Sequence, residues 1–362
     1  MKKLSSFFIL ILFFLQVNLS MAFTPSLSEI KKGAPPPRII RACCVLGEDL
    51  NLVGVPFSKI NHIIGPSDLN HHFYMGNRKE GNGIIYTKRG GFIDIAHLRD
   101  QADWTRYLFS RILLEKDNGE FVQKLKYEGG SKQIKINATG LDSLDCLLLA
   151  GKITYDLSLW HELSTWFGAS SIPMVPERYS SFSVEDVYSN LLGIYIGMEA
   201  LKSDLPFDEA MTQILKSKLD SLGAMPTESG TQEAMQSIRD VWWTTDKRIP
   251  QSGVLMVRDV DVYTKVKPWL VPGLTTLSPK LLVVPKSTSN GNSLNTYYSF
   301  SVDLNHKFPV EEMFPNNSDR IITQKDFPVL LERVKYDLKG NGAVYSDTQK
   351  EIIIHEKVRA RN

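Results

Sequence analysis

The stretch WHELSTWFG, residues 160–168, begins as a zinc-protease helix begins, with His161 followed by Glu162. A zincin needs its second histidine four residues after the first, so that imidazoles on consecutive turns reach one ion; Thr165 occupies that position. The protease reading of this helix alone therefore fails. What remains is a constellation spread over three predicted helices. Asp94 and His97 stand at i, i+3 on the first, His161 and Glu162 on the second, and Glu185 or Asp186 on the third. Facing helices hold metal ions with carboxylate and imidazole ligands of this kind, often in a carboxylate-x-x-His arrangement. The expected ligands are Asp94, His97 and His161 around a divalent metal such as zinc. An open coordination position would activate water, with Glu162 as general base and His161 and His97 beside it. The alternative is a buried hydrogen-bonded cluster that only fixes helix packing.

Two further residues are candidates for binding substrate. Arg89 precedes Gly90 and Gly91 just before the first helix, where backbone N–H groups and a guanidinium offer an anion seat; a tight turn that needs glycine is the favoured reading of the pair. His72 lies in HHFYMGNRKEGNG, a loop placed to line a pocket mouth. No serine sits in a G-x-S-x-G elbow.

The elements that must position these groups can be read from periodicity. At 100° per residue Trp104, Leu108 and Ile112 share one stripe of a helix over residues 94–114, and Asp94, His97 and Gln101 fall on that same core-facing stripe. Polar groups in a core need partners, so the first turns of this helix should meet other polar groups. A second helix over residues 141–167, with Gly168 as C-cap, is apolar nearly all round except for a strip of Tyr155, Ser158, Glu162 and Thr165, with His161 at its flank. A third runs over residues 183–202, Ser183 and Asp186 reading as a capping box. On it Asp186 and Asn190 share a line with Gly193 and Gly197, where another backbone can approach closely.

Two more helices follow, in PFDEAMTQILKSKLDSLG and QEAMQSIRDVWW. EFVQKLKYEGGSKQIKIN predicts a hairpin around Gly129-Gly130, and GIIYTK a strand. From residue 250 onward VLMVRDVDVY, LLVVPK and TYYSFSVDL read as strands, followed by a short helix over residues 326–338 and a last strand at 351–354. The fold class is thus α+β. A mainly helical core domain, residues 39–249, carries an inserted hairpin and precedes a β-rich C-terminal region, residues 250–362.

Lys2 and Lys3, the apolar run FFILILFFLQV and the small residues near Ala22 read as a secretory signal peptide over residues 1–22, with an extended Pro-rich lead-in over residues 23–38. A periplasmic or secreted location is expected, with no transmembrane anchor once the signal is cleaved. The formal net charge of +2 falls to neutrality without Lys2 and Lys3, and with no basic stripe the composition excludes nucleic acid as a partner. An envelope polymer or a small molecule is the expected partner. Of the three cysteines, a bridge of Cys146 to Cys43 or Cys44 is expected in an oxidising compartment. Trp160, Trp166, Trp242 and Trp243 offer a further reading as stacking surfaces for glycans or peptides.

The runs RACCVLGEDL, YTKRGGFIDIAHLRDQADW, YDLSLWHELSTWFG and YSSFSVEDVYSNLLG together resemble a family of exported bacterial proteins, the domain of unknown function numbered 4056. The resemblance reaches from Pro35 to beyond Trp243. It implies a bacterial envelope protein in which these segments form one unit, and it carries no activity. The leading expectation is a hydrolase acting on an envelope or extracellular polymer; the alternative is a non-catalytic envelope or glycan/peptide-binding protein.

Overall fold

Asp94 ends a strand and starts a helix, and this junction organises the site. Strands β1 (Ile84–Thr87) and β2 (Gly91–Asp94) form an antiparallel hairpin. The chain passes from β2 directly into α1 (Ile95–Glu115), whose N-cap is Asp94: its Oδ1 accepts hydrogen bonds from the backbone N–H of Ala96 at 2.7 Å and of His97 at 3.1 Å. The computed structural model describes residues 36–37, 41, 45–50, 62–170, 177–247, 251, 253–314 and 319–340. The predicted signal peptide, most of the lead-in, Cys43, Cys44 and the strand at 351–354 lie outside them.

Helix α2 (Ser143–Trp166) begins at Asp142, whose carboxylate caps Asp145 N at 2.8 Å, and it is buried over most of its circumference. Helix α3 (Asp186–Leu201) is buried along nearly its whole length. The predicted close approach at its glycines is present. A Cβ on Gly193 would stand 2.0 Å from the carbonyl oxygen of Leu98, and one on Gly197 2.9 Å from Ala102 Cα. These two pairs align α1 and α3 in the same direction. Thr105 meets Thr154 at 3.4 Å midway along α1 and α2, which run in opposite directions and so bring the end of α2 to the start of α1. Helices α4 (Phe207–Leu222), closed by left-handed Gly223, and α5 (Glu228–Ser237), capped by Thr227, complete the helical part.

The predicted hairpin is β3 (Phe121–Lys124) and β4 (Gly130–Ile136). It does not stand alone. Two short strands, β5 (Lys265–Val266) and β6 (Leu282–Val283), pair with each other, whereas β7 (Tyr298–Leu304) pairs with β4 from Gly130↔Leu304 to Ile136↔Tyr298. With β8 (Ile321–Thr323) this makes one antiparallel sheet in the order β3-β4-β7-β8. After a short helix α6 (Val310–Met313), helix α7 (Phe327–Gly340) lies over the sheet, and Trp160 of α2 stacks on Phe327 at 6.3 Å and tilts against Phe300 at 6.2 Å. One apolar cluster thus runs from α1 through α2 to β7 and α7. The fold is α+β.

Two expectations are corrected. VLMVRDVDVY forms no ladder strand: the run is buried on both sides and bonds outward, Met256 N to Trp242 O at 2.8 Å and Asp259 N to Phe182 O at 2.9 Å. Cys146 is a free, buried thiol rather than half of a bridge. It sits in the first turn of α2 with its Sγ 3.9 Å from Leu141 O, and Cys43 and Cys44 lie outside the described residues. Trp160, Trp166, Trp242 and Trp243 are all buried, as residues on core-facing stripes are, and the alternative reading of them as stacking surfaces is set aside. Among the described residues no helix is long and apolar enough to cross a membrane.

Candidate metal centre

The constellation predicted from spacing converges at one place, with one substitution among its members. Asp94 from the β2–α1 junction, His97 from the first turn of α1 and Asp186 from the first turn of α3 each offer a ligand atom, and these atoms lie within 4.8 Å of one another. His97 Nδ1 stands 2.7 Å from Asp186 Oδ1 and 3.3 Å from Asp94 Oδ2. The 2.7 Å contact is an ion pair. Beyond it, Asp186 Oδ1, Glu185 Oε1 and Asn190 Oδ1 accept no well-aligned hydrogen bond among the described residues.

Each position has a local cause. Asp94 is fixed twice: Ser189 Oγ of α3 accepts from its backbone N–H at 2.9 Å, and its carboxylate caps α1. The glycine contacts at Leu98 and Ala102 let α3 come close enough for Asp186 to reach His97. The expected capping box at the start of α3 is absent. Ser183 Oγ donates instead to Glu185 Oε2, and Asp186 turns to His97.

The electrostatics are those of a buried acidic pocket. Burial drives Glu162 up from 4.5 to about 7, with the Asp186 charge adding to the shift and His161 opposing it. Burial and then Asp186 hold Glu185 well above the carboxylate range. Asp186 is raised by burial, against the pull of His97. Glu162 Oε2 is anchored by the backbone N–H of Phe182 at 2.5 Å. Arg258 supplies the fixed positive charge, donating from Nη1 to Ser181 O at 2.7 Å; burial lowers it to about 10 while Glu162 and Glu185 pull it back up. Among the described residues four buried carboxyls, those of Asp94, Glu162, Glu185 and Asp186, thus share Arg258 and the imidazoles, an arrangement that favours proton uptake or a bound cation.

The other predicted site residues fall as follows. His161 reaches the same region of charge, since His97 and Glu162 both bear on its proton affinity, yet it is not among the converging donors. Its Nδ1 is 2.5 Å from Glu128 Oε1 on the hairpin. Arg89 lies in the β1–β2 turn, at the opposite end of β2 from Asp94, and its Nε donates to Ser278 O at 3.3 Å. The turn reading of Gly90 and Gly91 holds: Gly91 has φ +67° and packs on the Trp269 carbonyl. His72, expected at a pocket mouth, is instead wholly buried with Nε2 3.0 Å from Asp103 Oδ1. It belongs to a separate network around Arg41.

Two residues of the centre were not singled out from sequence. Arg258 and its neighbour Asp259 interrupt an apolar run, and a charged pair inside such a run was the available signal. Glu128 carried none, because the hairpin tip reads as solvated.

This arrangement defines the class: an α+β protein with a buried carboxylate–histidine centre where three helix ends meet. A family model described as "Protein of unknown function (DUF4056)" matches residues 31–272, a span that holds Asp94, His97, Glu128, His161, Glu162, Asp186 and Arg258, and the chain belongs to that family. No curated protein and no solved structure matches the chain.

Proposed function

We propose that Asp94, His97 and Asp186 hold a divalent metal ion such as zinc, and that the protein is a metal-dependent hydrolase. The observation that carries this reading is the convergence of three ligand atoms within 4.8 Å in a buried cluster that has, among the described residues, more carboxyls than fixed cations. Two carboxylates and one imidazole suit a divalent first-row ion and leave positions open for water and substrate. When bound, such an ion supplies Lewis-acid chemistry and lowers the pKa of water. Glu162, poised at about 7, then serves as the base that takes the proton of water. Arg258 holds the charge balance of the pocket as that proton moves.

The substrate class we assign is a cell-envelope or extracellular polymer, or a small molecule derived from one, acted on after export to the periplasm or the medium. The basic and apolar N-terminus supports export. A second reading has its own observation: Asp94 Oδ1 is already used as a helix cap, which suits a cluster that only fixes α1 against α3.

The two readings separate in a screen of metal-reconstituted protein against chromogenic esters, glycosides and anilides. The hydrolase reading expects turnover that rises as pH passes through about 7, where Glu162 loses its proton. It also expects Glu162→Gln to lower that turnover at least about a hundredfold while metal content stays at the wild-type value. Equal turnover in Glu162→Gln rejects the assigned base.

A further inference from the structure

We infer that Glu128 is a positioning residue for His161, and that His161 Nε2 is the proton donor to the leaving atom while Glu162 takes the proton of water. This rests on the hydrolase reading above and adds to it the acid half of the reaction and the residue that orients it.

The hairpin tip docks on α2 at two points. Glu128 O accepts from Trp160 Nε1 at 3.3 Å, and Glu128 Oε1 is 2.5 Å from His161 Nδ1. The second carboxylate oxygen, Oε2, is held by Lys132 Nζ. With two cationic partners Glu128 stays ionised; its pKa falls to about 2, the charges of Lys132 and His161 overcoming burial. An ionised carboxylate at Nδ1 accepts that ring proton, which fixes the ring orientation and makes Nε2 the nitrogen that exchanges protons.

His161 is also the group best placed to meet a substrate. Its side chain is 28% exposed, against 11% for His97 and 6% for Asp186. Being consecutive on a helix, His161 and Glu162 point about 100° apart, so Glu162 faces the buried carboxyls while His161 stands at the rim. The charged groups bearing on the ring are Glu128 and, through it, Lys132 on the hairpin, Glu162 on its own helix and His97 on α1; Asp186 on α3 feels the ring's charge in turn. Burial and His97 lower its proton affinity, but Glu128 and Glu162 outweigh them and raise it.

The step balances without a further reactant. The oxygen of water bonds to the electrophilic centre as its proton passes to Glu162. The bond to the leaving oxygen or nitrogen breaks, and that atom receives the Nε2 proton. Solvent then carries the proton from Glu162 back to His161. The bond cleaved is therefore one whose leaving atom needs protonation, such as a glycosidic, ester or amide link.

The test is an NMR titration of histidine-labelled protein treated with chelator, the His161 signal being identified by its loss in His161→Gln. Wild-type His161 should titrate above the ordinary histidine value. Glu128→Gln should lower its proton affinity about tenfold, one pKa unit, and Lys132→Gln should raise it, because Glu128 then shares its charge with no other cation. Unchanged titration in both variants overturns the pairing. The alkaline limb of turnover should move to lower pH in Glu128→Gln, and a fixed limb overturns the donor role. Because the titration needs neither metal nor turnover, failure of the hydrolase reading leaves it standing, whereas failure of the pairing appears in the titration itself.

Discussion

Arg41→Met is expected to cost the folded state about 3–5 kcal/mol, because it strands buried carboxylates around an absent cation. Arg41 donates from Nε and Nη2 to both oxygens of Glu80, from Nη1 to Asp100 Oδ1 at 2.6 Å and Asp103 Oδ2 at 2.9 Å, and from Nη2 to Phe73 O. All three carboxylates are buried, and His72 adds its ring to Asp103. A loss of that size is a large part of the stability of an ordinary domain. The site is coupled to it, since Asp100 and Asp103 lie one to two turns beyond His97 on α1.

The pH dependence fixes the mechanism. In the wild type Glu80 is lowered from 4.5 to about 2 by Arg41, against the effect of burial, so its contribution is present above 4.5 and is lost as pH falls through about 2. Asp100 has the opposite sign. Burial raises it from 3.8 to about 7, so its contribution is present below 3.8 and is lost as pH rises through about 7. Without Arg41 the largest opposition to the burial of Glu80 is gone and the Phe73 N–H and the Arg99 charge are what still hold it down, so its pKa rises and the group moves toward the sign of Asp100. Urea denaturation should therefore show the deficit of the variant narrowing near about pH 4 and widest near about pH 8. A deficit independent of pH would mean that Arg41 acts through packing alone.

Gly193→Ala is the second large effect, and its sign runs against helix propensity. In an exposed helix this change stabilises by about 1 kcal/mol. Here the added methyl would lie 2.0 Å from the Leu98 carbonyl oxygen, a backbone atom that no rotamer change can move. Overpacking ordinarily costs about 1–3 kcal/mol, and a backbone clash belongs at or above the top of that range. Gly197→Ala, 2.9 Å from Ala102 Cα, should cost less. Since Leu98 follows His97, separating α1 from α3 also draws Asp186 from the histidine, so Gly193→Ala should weaken metal binding where Gly197→Ala largely preserves it. Thermal denaturation with and without added zinc measures both effects, and a stabilised Gly193→Ala would refute the close helix contact.

These consequences show where the sequence was informative. The core-facing stripe that holds Asp94 and His97 beside Leu108 and Ile112 was visible because a helix repeats its faces, and the glycine line on α3 was visible for the same reason. Asp186 was open to misreading, since serine followed three residues later by aspartate looks like a cap until the partner helix is in place. The sequence neighbours of His161 suggest a ligand, and the structure pairs it with a carboxylate instead. Its partner, Glu128, lies 33 residues away on a hairpin that no local pattern docks onto α2. Arg258 was hidden more deeply, for it meets Ser181 across 77 residues through a run that looked like a sheet strand. Local periodicity carries helix faces; it does not carry which distant charge settles beside them.

The most direct test of the central claim is the divalent-ion content of purified protein, measured by elemental analysis beside Asp186→Asn and His97→Ala. The account predicts about one ion per chain in the wild type. It predicts little or none in either variant, with the circular dichroism of Asp186→Asn unchanged. Wild-type protein that stays metal-free after incubation with zinc or manganese, or variants that bind as much as the wild type, would contradict it.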